Sequence, residues 1–215
     1  MAAASGGEVD CQPRLSWLGR DDDSDAVVLP IAEIAELRPQ SRFALADVSN
    51  PYGLALGRGI DLNKALKDDP TVGSIVLDGL VEEVRSHIKA SLHSGADGIF
   101  YRLHGATPIH CTPMQYGGHY LERDRELLDE AKSAAFNVIF VVGKEELYID
   151  FVSDLPAHVF AWDSELSHLP ASQIRLSRRG AVASGDPSSE FMLIIGKERY
   201  LETLEQPNQE QPNIG

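Results

Sequence analysis

Polar side chains that could do chemistry stand directly after short apolar segments of this sequence. Arg102 and His104 end the apolar segment that begins at Gly98. After the other apolar segments stand Asp47, Asn50 and Tyr52, then Lys144 and Glu145, then Trp162, Asp163 and Glu165, and finally Asp186 and Ser188. If the segments are parallel strands, their carboxyl ends meet at one edge of a sheet, and these side chains converge on one pocket.

Each candidate also has a purely structural interpretation. His104 is a general acid or a hydrogen-bonded turn residue, and Lys144 is a substrate contact or one half of a solvated pair with Glu145. Asp186 faces the pocket or caps the segment that follows it. Trp162 stacks on a ligand or packs in the core. The residue types alone leave these alternatives open.

Five short apolar segments alternate with helical patterns along the chain. The segments are 43–48, 98–103, 137–142, 158–162 and 181–184, and Phe191–Ile195 is a sixth strand or part of a closing helix. The longest helical pattern runs from about Thr71 to Ser94, and Gly95 ends it. This alternation predicts an α/β fold with a parallel sheet.

The two ends of the chain differ in composition from the part between them. Residues 1–26 are small, polar and acidic, and the run Asp21–Asp25 is a solvated stretch or a weak cation site. Residues 205–215 are rich in Gln, Pro and Asn. We therefore predict disordered tails at 1–26 and 205–215 around one folded domain at 27–204.

The net charge of −14 limits the classes of partner. A field of this sign repels phosphate backbones and anionic membrane surfaces, so we expect neither nucleic acid nor a membrane as partner. No secretory pattern stands at the start, and Cys11 and Cys111 are too far apart for a metal or redox motif. The histidines show no metal-binding spacing. We expect a cytoplasmic protein without a metal or other cofactor.

Residues 60–187 resemble part of the uroporphyrinogen decarboxylase family. The matching segments are Lys67–Pro70, the long helix leading to Gly95–Phe100, the helix from Tyr120 to Ala131, Asn137–Ile139, Ala161–Asp163 and Gly185–Pro187. The superfamily consists of (β/α)8 barrels of the TIM type and also holds corrinoid-dependent methyltransferases and cobalamin-independent methionine synthase. The resemblance therefore implies a TIM-type barrel.

The length of the chain limits how much of such a barrel it can form. A complete (β/α)8 barrel takes about 250 residues, and five or six strands are visible here. We therefore expect an incomplete (β/α)8 barrel with about five or six parallel strands. Such a barrel leaves two unpaired edges and an exposed apolar face. It would pair with another chain, as in a homo-oligomer that completes the barrel, or fold back locally, or be poorly soluble.

The first function that the resemblance implies is decarboxylation of a tetrapyrrole or related carboxylate, by a lyase of porphyrin biosynthesis that needs no cofactor. Basic side chains would bind the substrate carboxylates, and other strand-end residues would complete the substrate site. These substrate-binding residues are Arg102, Lys144, Asp186 and Trp162. His104 or Asp163 would transfer the proton.

Two other functions remain open beside decarboxylation. A methyltransferase acting on a corrinoid-linked methyl group would use zinc held by a His-x-Cys-Gly motif, and the matching positions here are Phe140, Val142 and Gly143. These residues cannot ligate zinc through their side chains. The remaining alternative is a truncated or diverged barrel that binds a small molecule or a partner without catalysis.

Overall fold

In the described part of the chain, eight short strands close into a barrel in the order in which they follow one another along the chain. They are β1 (Arg14–Trp17), β2 (Ala26–Leu29), β3 (Phe43–Ser49), β4 (Gly98–Leu103), β5 (Val138–Val141), β6 (Val159–Trp162), β7 (Ala181–Ser184) and β8 (Phe191–Ile195). Neighbours from β1 to β7 are parallel, whereas β8 runs antiparallel to β7 and to β1. The computed structural model describes residues 14–17, 26–37, 43–144, 146–178, 181–184 and 191–195.

Helices occupy the connections between consecutive parallel strands from β2 to β7. They are α1 (Ile31–Leu37), α2 (Pro51–Gly57), α3 (Leu62–Asp68), α4 (Pro70–His93), α5 (Pro113–Gln115), a π-helix (Tyr116–Tyr120), α6 (Leu121–Glu130), α7 (Ile149–Val152), α8 (Ser164–Ser167) and α9 (Ala171–Ser177). None of these described helices combines the length and the apolar character that crossing a membrane requires.

Local sequence determines both ends of α4, the longest helix. Asp69 precedes the helix, and its Oδ1 accepts hydrogen bonds from the backbone N–H groups of Thr71 and Val72 at 3.0 and 3.1 Å. Pro70 takes the first helical position, where no N–H donor is needed. After the helix, Gly95 has a φ of 94°, which favours glycine. The predicted end of this helix at Gly95 is confirmed.

Alternate residues of the strands face the barrel interior and the surrounding helices. The buried interior residues of the strands are Ala26, Val28, Leu45, Phe100, Val138, Phe140, Val159 and Ala161. The strand residues that alternate with these, such as Tyr101 and Trp162, face the surrounding helices. Together with the helices they form a second apolar cluster, which we call the outer core. Asp47 therefore shares the inner face with Leu45, and Arg102 shares it with Phe100, because each pair is two residues apart on one strand.

Polar side chains immediately before three strands fix the amino-terminal edge of the barrel. Asp97 accepts a hydrogen bond from the N–H of Ala44 at 2.9 Å, and Asn137 accepts one from Ile99 at 3.0 Å. His158 Nδ1 accepts one from the N–H of Asn137 at 2.8 Å, and burial lowers its pKa. Each of these side chains thus accepts a hydrogen bond from the backbone at the start of the neighbouring strand that comes earlier in the chain. These bonds stabilise the parallel register at this edge.

The predicted α/β fold with a parallel sheet is confirmed. All five predicted segments form neighbouring parallel strands, β3 to β7, with helices between them. Phe191–Ile195, for which a sixth strand and a closing helix were the alternatives, is a strand, but it is antiparallel to both of its neighbours. The sequence predicts an incomplete (β/α)8 barrel with about five or six parallel strands, whereas the described residues form seven parallel strands and one antiparallel strand.

Two expectations are wrong in the described part of the chain. Arg14–Trp17 forms a strand within the segment predicted as a disordered tail, and it pairs with both β2 and β8. Since β8 also pairs with β7, the described strands leave no open edge, in contrast to the expected two. The argument for a homo-oligomer that completes the barrel is thereby removed. The domain limits at 27–204 and 205–215 stay predictions.

Candidate functional site

Asp47 and Arg102 form an ion pair on the inner face of the barrel, near the carboxyl ends of β3 and β4. Arg102 Nη2 lies 2.9 Å from Asp47 Oδ2, and Nε lies 2.8 Å from Oδ1. The side chain of Arg102 is 37% exposed and that of Asp47 is 20% exposed. We call the opening at this end the barrel mouth, defined by Asp47, Arg102 and His104.

Burial and the neighbouring guanidinium act in opposite directions on the carboxyl group of Asp47. Burial raises its pKa, and the charge and hydrogen bond of Arg102 lower it, with the net result that the pKa of Asp47 is raised. A change at Arg102 would therefore change the proton affinity of Asp47. The guanidinium of Arg102 and the carboxyl group of Asp47 are therefore electrostatically coupled.

The imidazole of His104 lies beside this pair and packs against the first turn of α2. A Cβ at Gly53 would collide with Ser49 Oγ and would lie 2.5 Å from His104 Cδ2, so a larger residue there would force these side chains to move. Burial, followed by the charges of Arg102 and His110, lowers the pKa of His104 to about 4. The imidazole is therefore neutral at pH 7, which suits a hydrogen-bonding or basic role better than that of a general acid.

Asn50 ties the carboxyl ends of β3 and β4 together. Its backbone N–H donates to the carbonyl oxygen of Arg102 at 3.0 Å. Its side-chain Oδ1 accepts from the N–H of His104 at 3.2 Å, and its Nδ2 donates to the carbonyl oxygen of His104 at 3.0 Å. Oδ1 also accepts from the N–H of Gly53 at 2.9 Å, which caps α2. One fully buried amide thus holds both backbone groups of His104.

A buried carboxylate lies behind Asn50. Asp124 of α6 accepts hydrogen bonds from Tyr101 Oη at 2.8 Å, Tyr116 Oη at 3.0 Å and Asn50 Nδ2 at 3.2 Å. Burial is the largest influence on Asp124 and raises its pKa to about 6, although the three donors act in the opposite direction. The same environment raises the pKa values of Tyr101 and Tyr116. This network connects the outer helices to the barrel mouth.

Two of the predicted residues serve structure at the end of β6. Asp163 is buried, and its Oδ1 accepts a hydrogen bond from the N–H of Leu166 at 2.8 Å, which caps α8. Trp162 belongs to the outer core and is 0% exposed, and its Nε1 donates to the carbonyl oxygen of Leu169 at 2.9 Å. Trp162 therefore matches the packing alternative, and the expected substrate contact is wrong because no part of the side chain reaches the barrel mouth.

The structure brings together only some of the other predicted residues. Arg102 and His104 meet at the barrel mouth, and Lys144 is exposed beyond the end of β5, the strand next to β4. Asp186, predicted as a substrate contact, lies outside the described residues. Of the predicted residues that the structure describes, Arg102 and His104 thus lie together, and Lys144 lies beyond the end of the neighbouring strand.

An open groove of about 730 Å³ lies beside the barrel mouth and does not include it. It is lined by α2, α3 and the segment after β4, with Tyr52, Asn63 and His110 among its residues. These polar groups bond to one another: Asn63 Nδ2 donates to Tyr52 Oη at 3.2 Å and to the carbonyl oxygen of His110 at 2.7 Å. The groove therefore borders the candidate site, whereas the charged pair lies inside the barrel.

Comparisons with known proteins show a structural likeness. No family model matches the chain, and no curated protein matches it. A solved structure of a methyltransferase from Methanosarcina mazei is similar with a TM-score of 0.58 and 15% identity over 71% of this chain. The match covers 45% of that chain, so this protein corresponds to less than half of it. The likeness shows a shared barrel fold. At 15% identity it shows the fold alone and does not favour uroporphyrinogen decarboxylase in particular.

Proposed function

We propose that the barrel mouth binds a small organic carboxylate through Arg102 and decarboxylates it without a cofactor. The observation that supports this proposal is the inward-facing Asp47–Arg102 pair, which is partly exposed at the carboxyl ends of the strands. A guanidinium binds a carboxylate through two parallel N–H groups, so Arg102 is suited to this ligand class. Lys144, exposed on the neighbouring strand end, adds a second positive charge in a chain whose net charge is −14.

Ligand binding and proton supply are coupled in this proposal. The ligand carboxylate takes the place of Asp47 on Arg102, which removes the interaction that lowers the pKa of Asp47. Burial then favours the protonated form of Asp47. In the reaction the bond from carbon to the carboxylate breaks, CO2 leaves, and the electron pair stays on carbon. That carbon takes the proton from Asp47, while the neutral imidazole of His104 hydrogen-bonds the ligand.

The direct test is incubation of the purified protein with candidate carboxylates, beginning with uroporphyrinogen, followed by chromatography for products that have lost carboxyl groups. A product with fewer carboxyl groups supports the lyase. Binding without turnover supports the alternative of a diverged barrel that binds a small molecule. Absence of both binding and turnover across tetrapyrrole and simple carboxylates would reject the proposed site.

Replacing Arg102 by glutamine is expected to weaken carboxylate binding at least about tenfold, because a charge-assisted bond contributes roughly 1.5–3 kcal/mol. The double variant Asp47→Asn with Arg102→Gln removes the whole pair and leaves no unpaired buried charge, so it separates binding from folding. Arg123→Gln is the control, since Arg123 pairs with Asp78 on the helical surface. Isothermal titration calorimetry gives the three affinities. Equal affinity of the Arg102 variants and the control would contradict the assignment.

Carboxylate binding is also expected to take up protons, because Asp47 gains a proton when it leaves Arg102. Calorimetric titrations in two buffers of different ionisation enthalpy measure this uptake. The uptake should be lost in Asp47→Asn. An unchanged proton count in that variant would show that another group titrates.

Methyl transfer is the second candidate, and the likeness to a methyltransferase structure favours it. The described residues contain no group of three His, Cys, Asp or Glu side chains placed to hold a metal ion. A methyltransferase of this chain would therefore activate its acceptor without such a site in the described part. Methyl transfer from methylcobalamin to a thiol by the purified protein would favour this candidate over decarboxylation, and stoichiometric zinc with it would place the metal ligands outside the described residues.

A further inference from the structure

The side chain of Asn50 uses both of its polar atoms on the ends of the strands. Oδ1 accepts from the N–H groups of Gly53 and His104, and Nδ2 donates to the carbonyl oxygen of His104 and to Asp124. The side-chain amide of Asn50 could be turned in two ways that exchange its oxygen and nitrogen atoms, and these four hydrogen bonds are compatible with only one of them. In the flipped orientation, Nδ2 would face two N–H donors and Oδ1 would face two acceptors, so all four hydrogen bonds would be lost.

Asp124 contributes to selecting that orientation. An ionised carboxylate only accepts hydrogen bonds, so it requires the amide nitrogen of Asn50 on its side. Tyr101 and Tyr116 hold the carboxylate in place through its two oxygens, and Asp124 is 1% exposed. Asp124 itself forms no hydrogen bond to His104 in the described structure. Its influence on the barrel mouth passes through Asn50.

We propose that Asp124 and Asn50 are positioning residues that hold His104 and the end of β4 in the arrangement the barrel mouth needs for its ligand. The consequence for ligand binding rests on the proposed function, whereas the consequence for His104 does not. Asn50 also holds the backbone of Arg102, whose carbonyl oxygen accepts a hydrogen bond from the N–H of Asn50. The arrangement at the mouth thus depends on a carboxylate that belongs to a helix outside the barrel.

Asn50→Asp is the variant that breaks this arrangement. It replaces the amide nitrogen by a second oxygen, which then faces the Asp124 carboxylate and the His104 carbonyl oxygen. We expect clear shifts of the His104 backbone amide and imidazole signals in ¹H–¹⁵N NMR spectra. We also expect carboxylate affinity to fall about fivefold or more, the effect of losing one or two hydrogen bonds. Adding Asp124→Asn restores a donor opposite the new carboxylate and should recover part of both changes.

Tyr116→Phe is the matched control, because it removes a donor to the same Asp124 carboxylate without touching Asn50. It should lower stability while leaving the His104 signals close to those of the wild type. The NMR readout needs no ligand, so it tests the positioning role even if the proposed function fails. If Asn50→Asp does not fold, Asp124→Asn provides the comparison with Tyr116→Phe. His104 signals that move equally in the two variants, or not at all, would overturn the inference.

Discussion

Replacing Arg178 by methionine is expected to lower the free energy of unfolding by about 4 kcal/mol, because the guanidinium is the partner of three backbone carbonyl groups. Nη1 donates to the carbonyl oxygens of Ser153 and Leu155 at 2.7 and 3.0 Å, and Nη2 donates to that of Ala157 at 2.6 Å. Arg178 is 7% exposed. Methionine fills similar volume but leaves these oxygens without a donor.

The cost of burying the positive charge of Arg178 does not change the expected loss of stability in Arg178→Met. Burial lowers its pKa to about 10, so the guanidinium is still positive at pH 7. The cation lies 5.3 Å from the centre of the Phe160 ring, which offsets part of its desolvation. Removing one partner of a buried charged network costs more than the network contributes, because the groups left behind have no water to replace it.

Urea unfolding followed by circular dichroism measures the effect of Arg178→Met. Arg123→Met is the control, because Arg123 pairs with the exposed Asp78 and such pairs contribute about 0–1 kcal/mol. Arg178→Lys should fall between them, since an ammonium cannot reach three carbonyl groups from one position. Equal unfolding midpoints for Arg178→Met and the control would show that the loop from 153 to 157 is held by other contacts.

The parallel part of the barrel could be predicted from the sequence because its strands are buried on both faces. Such strands are continuous apolar runs, as in Val138–Val141, and glycine or polar residues mark their limits. The short strand Ala26–Leu29 is also an apolar run, but it follows an acidic stretch that suggested a tail. Arg14–Trp17 alternates polar and apolar residues over only four positions, which is too short to predict a strand. Its pairing with β2 and β8 depends on distant parts of the chain.

The pair at the barrel mouth could be predicted only in part. Arg102 stood out at a strand end, but its partner depends on the register of β3 against β4, which places Asp47 opposite Phe100 and Ser49 opposite Arg102. Register is set by side-chain packing and by contacts such as that of Asp97, so residue types alone do not give it. A count of alternating residues along β6 from Ala161 would have placed Trp162 on the outer face.

The positioning residues Asp124 and Asn50 could not be predicted from the sequence, for a different reason. Asp124 lies in the sequence Leu121–Glu130, where charged residues predominate, so its helix looks solvent-exposed. In the structure Asp124 is buried beside Tyr101 on β4 and Tyr116 on the π-helix, which both donate hydrogen bonds to it. These tyrosines belong to different elements, so the sequence of the Asp124 helix alone does not indicate the burial. Asn50 has the preferred residue type for a helix cap, which explains its place before Pro51 but not its contacts with His104.

The pH dependence of stability is expected to reveal Asp124. Its pKa is about 6 in the folded protein against an ordinary value of 3.8, so the folded state binds a proton more tightly than the unfolded state. Asp124 therefore makes the free energy of unfolding fall as pH rises from about 3.8 to about 6. The total contribution is about 3 kcal/mol, and it stays constant above that interval.

His104 acts in the opposite direction over a similar range. Its pKa of about 4 lies below the ordinary value of 6.5, so the unfolded state binds the proton more tightly and stability rises with pH across that interval. The pH profile of the wild type alone therefore cannot isolate Asp124. The difference between the wild type and Asp124→Asn can, because the amide does not titrate and its altered hydrogen bonds add only a constant offset.

Urea unfolding of the two proteins at a series of pH values from about 4.5 to about 7.5 gives this difference. The stability of the wild type relative to Asp124→Asn should decrease by about 2 kcal/mol between the two ends of the series, since part of the transition lies below pH 4.5. Asp78→Asn is the control, because Asp78 is an exposed carboxylate on α4. Profiles that run parallel for the wild type and Asp124→Asn would mean that Asp124 keeps its ordinary pKa despite its burial. In that case Tyr101, Tyr116 and Asn50 would stabilise the carboxylate fully, and the network would be a stronger structural element than its burial suggests.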